Sequence, residues 1–325
     1  MSDMNDVTLA SGARGAAAEA GKVQVSAARR IARTRFRDWR DRTRARVDRA
    51  RGLPRLRAEF EACVGYPLDL KDPQTFNAKI QWRKVHDRNP LHPIVADKYR
   101  MRLWLAEHLG AARAEALLVP LHRVTDRPAD LDLSGLPEGL VIKPNHASRM
   151  LRFRYPDKPF DLEEVRLISQ LWLLKQYGSL RQEWAYWPIP RRIMVEELMP
   201  RADGSPADDV KIICFHGKPA YVMAEFDRMN GAYQVAYTPD GEALKIFNKG
   251  DVPRCAPPPP HLARMMELAE EISAPFDHVR VDFLTNGTDF ALNELSLYRG
   301  SGMNRFVPES YDYDMGALWT LPGRG

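Results

Sequence analysis

Two carboxylates lie in neighbouring apolar segments near the end of the chain. Asp282 falls within the segment HVRVDFL and Glu294 within FALNEL, and the Asn286-Gly287 pair between them is typical of a β-hairpin turn. Paired carboxylates on a hairpin can hold a hard cation such as Mg²⁺. Because a regular two-residue turn would put Asp282 and Glu294 on opposite faces, this hypothesis predicts an irregular hairpin with a bulge or a three-residue loop. The alternative is a pair of solvated strand carboxylates.

Lysines occupy the ends of two other apolar segments. Lys143 ends GLVIKP, and Lys211 begins KIICF. A buried ammonium group needs an anionic partner, because burying an unpaired charge is costly. A phosphate would serve for Lys143. The alternative is that the strand ends there and the side chain reaches solvent.

Polar residues in three further segments are compatible with a binding pocket. Glu196 and Glu197 end RRIMVEEL, and only one of them can face a given pocket, because adjacent strand residues point to opposite faces. The pair Asp227-Arg228 follows another strand and is compatible with an ion pair or an anion site. The GSG at 300–302 offers backbone N–H groups that can cradle a phosphate. The sequence contains no Ser-His-Asp nucleophile elbow, HExxH motif or Walker loop.

The elements that must position these residues follow from hydrophobic periodicity. The predicted helices span 76–87, 92–109, 161–176 and 261–273. The predicted strands span 117–124, 139–144 and 191–198, two runs around a His-Gly-Lys-Pro turn within 210–226, and the hairpin around Asn286-Gly287. Helices come first and strands dominate the second half, which indicates an α+β or mixed α/β fold.

The composition excludes several classes of protein. The 325 residues are 44% hydrophobic and 28% charged, an ordinary balance for a globular chain with a substantial core. No run approaches the roughly 20 apolar residues of a membrane span, and the first residues lack the apolar part of a secretory signal. The three cysteines are far apart and fit neither a disulfide framework nor a zinc site. A cytoplasmic protein is therefore expected.

The net charge of +5 is unevenly distributed along the chain. Through Ala58, fifteen basic residues outnumber six acidic ones, so the rest of the chain is mildly acidic. Nucleic acid is therefore not an expected partner. The basic leader also lacks the interleaved aromatic residues of a stacking platform.

This basic leader has two parts. Residues 1–25 are predicted to be disordered, because they show no clear periodicity. Residues 26–56 form an Arg-rich unit with a helix over 26–51. Its apolar stripe comprises Ala28, Ala32, Phe36, Trp39, Val47 and Ala50. Two interpretations remain open: a solvated basic helix that packs a few side chains on the body, or a helix on the anionic inner face of a membrane, with Phe36 and Trp39 as interfacial anchors.

Taken in order, short motifs along the chain resemble the ATP-grasp superfamily, specifically its TupA-like branch, which is named for teichuronopeptide biosynthesis. The motifs are FNAKIQWRKVHDRNP (76–90), ADKY (96–99), VIKPNH (141–146), MVEEL (194–198), DVKIICFHGKPAYV (209–222), DR (227–228), VRVDF (279–283) and NELSLYRGSG (293–302). The resemblance runs from about Asp72 to Trp319. It implies an ATP-grasp fold, in which two α+β subdomains clasp a nucleotide. The expected parts are a helical region at 57–130, a small lobe at 131–195 and a large lobe with the metal site at 196–325.

The resemblance also implies a role for each candidate side chain. The groups expected to act in the reaction are Arg280, Lys143 and Lys211. Those expected to bind ATP are Lys98, Lys143, Lys211 and the adenine-facing hinge Glu196, Glu197 and Leu198. Those expected to hold Mg²⁺ are Asp282, Glu294 and Ser296. Those expected in the acceptor pocket are Asp227, Arg228, Arg299, Gly300 and Ser301.

The implied reaction is ATP-dependent ligation. The γ-phosphate of ATP would activate a carboxylate as an acylphosphate, and an amine would then attack it to give an amide, ADP and phosphate. The family's setting implies small-molecule or glycan substrates from cell-surface polysaccharide biosynthesis. Two alternatives remain open: a phosphotransferase acting on a sugar or another hydroxyl, and a non-catalytic carbohydrate-binding or scaffolding relative.

Two positions depart from the family pattern. The loop after Lys143 is NHGSG-like in the family but reads NHASRM (145–150) here, with Ala147 and Arg149 in place of glycines. Losing glycine restricts a backbone that must approach phosphate closely, which favours the non-catalytic alternative, although Arg149 would add charge. Ser296 stands where most members of the wider superfamily carry Asn, and its hydroxyl is a weaker Mg²⁺ ligand than an amide oxygen.

Overall fold

The protein is described by a computed structural model covering residues 5–227, 231–251 and 253–323, with side chains described from Ser26 onward. Its helices are α1 (Asn5–Ala50), α2 (Pro54–Val64), α3 (Phe76–His86), α4 (His92–Val95), α5 (Lys98–Leu109), α6 (Ala111–Leu117), α7 (Leu162–Leu173), α8 (Leu262–Ser273) and α9 (Ser310–Ala317). Its strands are β1 (Leu121–Thr125), β2 (Leu140–Pro144), β3 (Arg152–Arg154), β4 (Ile193–Glu197), β5 (Asp208–Phe215), β6 (Lys218–Phe226), β7 (Tyr233–Tyr237), β8 (Ala243–Leu244), β9 (Phe247–Asn248), β10 (His278–Thr285), β11 (Phe290–Ser296) and β12 (Phe306–Val307).

The strands form two main antiparallel sheets, one in each lobe. The small lobe has the strand order β1-β4-β2-β3, and the large lobe has the order β11-β10-β5-β6-β7-β8. Strands β9 and β12 form a separate two-stranded ladder. Helices lie beside both sheets, so the predicted α+β fold is confirmed.

The small lobe divides the side chains of β2 between a core and a cleft. Leu140 and Ile142 are buried in a cluster with Ile168 and Trp172 of α7. Because strand side chains alternate, Val141 and Lys143 point to the other face and line the cleft. The apolar run GLVIKP thus places one lysine in the cleft while its neighbours stabilise the lobe.

The large lobe uses the same alternation. Helix α8 packs on β5, β6 and β10, and the Cys214 thiol lies 3.9 Å from the Ala269 carbonyl oxygen of α8. Val210 and Ile212 are fully buried, whereas Asp209 and Lys211 line the cleft. Asp209 and Lys211 therefore lie on the face of β5 opposite α8.

Two predicted elements differ in their bounds. The helix predicted at 92–109 is divided into α4 and α5, because the Asp97 carboxylate accepts the backbone N–H groups of Tyr99 and Arg100 as an N-cap. This cap makes Lys98 the first residue of α5. The strand predicted at 117–124 is shorter and later, because α6 continues to Leu117 and β1 begins at Leu121.

The leader carries the longest helix of the described residues. Helix α1 begins at Asn5, and the disorder expected through residue 25 stays a prediction. From Ser26 onward, the side chains of α1 that face the body lie at Ala27, Ile31, Thr34, Asp38, Asp41, Ala45 and Asp48. Phe36 and Trp39 of the apolar stripe are 61% and 56% exposed, so the stripe is not the packed face. Among the helices of the described residues, none is long and apolar enough to span a membrane.

Candidate functional site

A cleft of about 970 Å³ lies between the two sheets and collects most of the candidate residues. The candidates that line it are Lys98, Lys143, Glu196, Glu197, Leu198, Lys211, Arg280, Asp282, Glu294, Ser296, Arg299, Gly300 and Ser301. Its volume matches that of a cofactor or small-molecule site. Residues from α5, both sheets and the segment after β11 therefore converge on one space.

The hairpin that carries the two carboxylates is irregular. The register of β10 and β11 shifts between Asp282 and Phe283, and Asp282 then stands directly opposite Glu294. The extra residue on β11 is Asn293, because Phe283 pairs with Leu292. Directly opposed residues share a face of the sheet, so this bulge brings both carboxylates into the cleft.

Two cations neutralise this carboxylate pair. The Lys98 ammonium nitrogen lies 2.7 Å from a Glu294 oxygen, and Arg280 Nε donates to Asp282 at 2.6 Å. Burial opposes the ionisation of Glu294, but Lys98 and Arg280 outweigh it and lower its pKa to about 2. Burial raises the pKa of Asp282 to about 6, although Arg280 counteracts it. Glu294 is therefore the more strongly stabilised anion of the pair.

Lys143 belongs to a buried ion-pair network in the small lobe. Its ammonium nitrogen lies 2.6 Å from Glu196 and donates to Asn293 Oδ1 at 3.2 Å. The other Glu196 oxygen lies 3.2 Å from an Arg102 nitrogen. Asn293 is the bulge residue of the opposite lobe, so the Lys143 contact joins the two lobes across the cleft. Lys143 thus has anionic partners within the protein and does not simply reach solvent.

Lys211 is held in the large lobe by two carboxylates. It forms an ion pair with Glu225 on β6 and lies 3.5 Å from an Asp209 oxygen. In the sheet it stands directly opposite Asp282. Lys211 therefore lies on the same cleft face as the carboxylate pair.

The hinge segment separates its two glutamates as strand geometry requires. Glu196 points to Lys143, whereas a Glu197 oxygen lies 3.2 Å from His122. The backbone N–H groups of Glu197 and Leu198 donate to the carbonyl oxygens of Pro120 and Gly139, both at 3.0 Å. Both N–H groups are used in these hydrogen bonds, so neither is free to bind an adenine base edge in this arrangement.

The altered loop 145–150 keeps a glycine-like backbone. Arg149, which stands in place of a glycine, has a φ of 60° in the left-handed region. Lys98 ties the loop to α5 by donating to the Ala147 carbonyl oxygen at 2.9 Å. The arginine at position 149 therefore occupies a conformation that favours glycine, and its exposed side chain lines the cleft.

Three of the residues expected in the acceptor pocket line the far end of the cleft. Arg299 is buried and donates to Met223 Sδ and Asn248 Oδ1, and its Nη1 has no hydrogen-bond partner among the described residues. Burial lowers the pKa of Arg299 to about 10. Gly300 and Ser301 follow it with positive φ values of 52° and 60°.

The other two expected acceptor residues lie elsewhere. Asp227 forms an ion pair with Arg201 at 2.9 Å, and its backbone N–H donates to the Asp208 carboxylate at 3.1 Å. Asp227 is not part of the cleft lining. The end of β6 reaches the cleft through Glu225, two residues earlier, but not through Asp227. Arg228 lies outside the described residues.

Sequence reasoning missed a buried polar group beneath the segment 299–302. Lys84 of α3 donates to the Ser301 carbonyl oxygen at 2.9 Å, and Gln81 donates to the same oxygen at 2.8 Å. Glu183 lies in the wall of the cleft beside them; burial raises its pKa, although Lys84 and Ser301 counteract this. The polar residues Gln81 and Lys84, three positions apart on one helix face, were the available signal.

Helix α1 also reaches the cleft, which the sequence analysis did not expect of the leader. Thr34, Arg37, Asp38 and Asp41 line one side of its mouth. Asp38 accepts the backbone N–H of Gln176 at 2.6 Å, and this hydrogen bond fixes α1 beside the segment after α7.

Two antiparallel sheets that enclose a cleft with opposed carboxylates and converging lysines define an ATP-grasp fold. The family model described as TupA-like ATPgrasp matches residues 78–320, and the chain belongs to this family. The family match therefore covers the two lobes and begins within α3.

Solved structures offer more distant likenesses. D-alanine–D-alanine ligase from Bacillus anthracis, complexed with ATP, is 16% identical with a TM-score of 0.35, over 63% of this chain and 54% of that one. The D-alanine–D-alanine ligase from Helicobacter pylori is 13% identical with a TM-score of 0.37, over 70% of this chain and 62% of that one. An N5-carboxyaminoimidazole synthase from Aspergillus clavatus, in complex with ADP, is 12% identical with a TM-score of 0.36, over 64% of this chain and 46% of that one. The matched part thus spans about half of the length of several of these proteins. No curated protein sequence matches the chain.

Proposed function

We propose that the protein is an ATP-dependent carboxylate–amine ligase. The observation that carries the proposal is the convergence of Lys98, Lys143, Lys211 and Arg280 on one cleft with two opposed carboxylates. Phosphoryl transfer depends mainly on positioning and on neutralising charge, and this cleft supplies fixed cations from both lobes. Membership of the ATP-grasp family supports ATP as the phosphate donor.

The proposed reaction has two steps. A carboxylate oxygen of the first substrate attacks the γ-phosphorus of ATP, the bond to the β-phosphate oxygen breaks, and ADP leaves. The amine of the second substrate then attacks the acyl carbon, loses a proton and expels phosphate, which leaves an amide. Lys98 and Lys143 would bind the transferring and departing phosphates, and Arg280 would stabilise charge on the activated acid.

The residues of the hairpin fit a magnesium ion in their chemistry. Asp282 and Glu294 present carboxylate oxygens on one face, and Ser296 adds a hydroxyl. Among the described residues, no group of three or more His, Cys, Asp or Glu side chains forms a metal site. Asp282 and Glu294, together with the Ser296 hydroxyl, would hold the ion. Such an ion neutralises phosphate charge when it is bound.

The substrates are proposed as a carboxylate and an amine of a cell-surface polysaccharide or its precursors. Support comes from the resemblance to the TupA-like branch. The cleft adds a buried Arg299 at its acceptor end, which suits a substrate that carries an anionic group.

The first experiment measures nucleotide binding by thermal shift with Mg-ADP and Mg-AMPPNP. At a hundredfold excess over Kd, binding stabilises the protein by about 2.7 kcal/mol, which raises the melting temperature measurably. We expect Asp282→Asn to remove this shift and Asp240→Asn, in an exposed turn, to keep it. An unchanged shift in Asp282→Asn would refute the metal assignment, and a wild-type protein without any shift would favour the non-catalytic alternative.

The second experiment separates the two reaction classes. Phosphate release from ATP is measured with panels of acids and amines, alone and combined. A ligase releases phosphate only when both an acid and an amine are present. ATP consumption with a hydroxyl acceptor alone, accompanied by a phosphorylated product, would instead show a phosphotransferase.

A further inference from the structure

Helix α1 turns its apolar stripe away from the body. From Ser26 onward, the body-facing positions follow a spacing of four and three residues and include Asp38, Asp41 and Asp48. The Asp38 carboxylate accepts the backbone N–H of Gln176 at 2.6 Å, and the Asp48 carboxylate accepts that of Arg55 in α2 at 2.7 Å. Phe36 and Trp39 lie on the opposite side, since an α-helix turns about 100° per residue. The body-facing side of α1 therefore carries three carboxylates, whereas its two large aromatic residues face outward.

The two aromatic residues form one exposed apolar patch. Their ring centroids are 5.8 Å apart, and the side chains are 61% and 56% exposed. Val47, which is 44% exposed, extends the patch along the same face. Neighbouring large apolar side chains that remain exposed on one face often mark an interaction surface.

Arginines surround this patch on both sides. Arg35 and Arg46 flank it on one side, and Arg29 and Arg33 flank it on the other; all four are exposed. Aromatic residues that insert between anionic headgroups, with basic residues around them, are the features of a helix lying in a membrane interface. A second copy of this chain would present the same positive charge, so like charges would oppose pairing of two such faces.

We propose that α1 is a docking surface for an anionic lipid membrane. Phe36 and Trp39 insert at the level of the headgroups, and the flanking arginines bind the lipid phosphates. Thr34 and Arg37, on other sides of the helix, line the mouth of the cleft, so the docked helix would lie beside that mouth. This surface belongs to the leader and does not depend on the reaction proposed for the cleft.

The test is sedimentation of the full-length protein with vesicles, without nucleotide. One set of vesicles is pure phosphatidylcholine, and the other contains about 30% phosphatidylglycerol. We expect binding to the anionic vesicles only, weakened by added salt because the arginine contribution is screened. The double variant Phe36→Ala/Trp39→Ala should lower the binding constant at least about tenfold. The conservative variant Trp39→Phe should bind nearly as well as the wild type.

A matched control removes exposed apolar side chains elsewhere. Leu103→Ala/Tyr313→Ala changes residues that are 52% and 47% exposed on α5 and α9, and it should bind vesicles like the wild type. The variant Arg33→Gln/Arg35→Gln/Arg46→Gln should bind anionic vesicles more weakly, because it removes three positive charges from the helix. Thermal unfolding and the Mg-ADP shift identify any variant that fails to fold.

Three outcomes would overturn the proposal. The first is equal binding of the Phe36→Ala/Trp39→Ala variant and its control. The second is equal binding to neutral and anionic vesicles. The third is a stable dimer by light scattering that the aromatic double variant converts to a monomer without any vesicle binding, which would identify a second copy as the occupant.

Discussion

The three cleft lysines each form an ion pair with a carboxylate: Lys98 with Glu294, Lys143 with Glu196, and Lys211 with Glu225. Such pairs hold long side chains in place before a ligand binds, and removing one partner leaves the other charge buried and less compensated. A phosphate that binds here must therefore share or replace an existing partner.

The Lys143 pair provides a first prediction at this scale. Lys143→Met should lower the free energy of unfolding by about 2 kcal/mol, because buried Glu196 keeps only Arg102 as its cation. The double variant Lys143→Met/Glu196→Gln should recover most of that stability. It should still bind Mg-AMPPNP at least about tenfold more weakly than the Glu196→Gln control, because the phosphate loses a charged partner.

Denaturant titration measures the stability of these variants, and isothermal calorimetry measures nucleotide affinity. Near wild-type affinity in the double variant would show that Lys143 serves only the structure.

Arg149 provides a second prediction. Arg149→Asn should stabilise the fold by about 0.5 kcal/mol, because Asn tolerates the left-handed conformation better than Arg. The same change should weaken Mg-AMPPNP binding a few-fold and reduce its salt dependence, because a cation leaves the cleft. Arg123→Gln, on β1 outside the cleft lining, serves as the charge control. If nucleotide affinity is unchanged in Arg149→Asn, the arginine does not compensate for the missing glycine.

At the scale of elements, one end of the cleft is fixed by the contact of α3 with the segment Arg299–Gly302. A Cβ on Gly302 would lie 2.8 Å from the Asn77 carbonyl oxygen and 2.9 Å from Ile80 Cβ. This close approach of two backbones requires glycine, and it sets the position of Ser301 over Lys84.

The third prediction compares two glycines that both have positive φ. Gly302→Ala combines backbone strain with a steric clash, whereas Gly287→Ala in the hairpin turn has strain but no atom within 4 Å among the described residues. Gly302→Ala should therefore destabilise the protein by roughly 2 kcal/mol more than Gly287→Ala. Thermal denaturation of both variants tests this difference. Equal losses of stability in the two variants would mean that α3 moves away from the added methyl group without further destabilising the protein.

At the scale of the whole molecule, buried neutral histidines make the fold sensitive to acid. Burial lowers the pKa of His92 to about 3, with Arg83 adding to the effect and Asp277 opposing it. Burial likewise lowers the pKa of His146 to about 4 and that of His278 to about 3. Each group binds a proton in the unfolded chain below about pH 6.5 but not in the folded chain, so stability is lost as the pH falls from 6.5 towards 4.

The fourth prediction isolates one of these groups. At pH 5, a single such histidine costs about 2 kcal/mol of stability relative to neutral pH. Neither ring nitrogen of His92 forms a hydrogen bond within the described residues, so His92→Leu removes no hydrogen bond. The free energy of unfolding of this variant should fall less steeply than that of the wild type between pH 7 and pH 5. Parallel pH profiles would show that His92 titrates normally.

Local patterns predicted most of the elements. Short apolar runs bounded by Gly, Pro or turn residues predicted the strands of GLVIKP and KIICF, and spacing predicted α3, α7 and α8 within a few residues. The bulge at Asn293 agrees with a prediction that depended on the metal hypothesis: Asp282 and Glu294 can share a face only if the hairpin is irregular. The break at Asp97 was missed because a side-chain cap can end one helix and begin another without a change in periodicity.

The sequence by itself determined which side chains can carry charge, which strands hold them and which face of each strand they share, because these properties depend on residues within a few positions of one another. The tertiary structure alone decided which charges meet: Lys98 reaches Glu294 and Lys143 reaches Asn293 only because distant elements pack around one cleft. It also decided the orientation of α1. A stripe of Phe36 and Trp39 would pack inward by local rules, but the hydrogen bonds of Asp38 to Gln176 and of Asp48 to Arg55 lie on the opposite side of the helix, and the stripe faces outward.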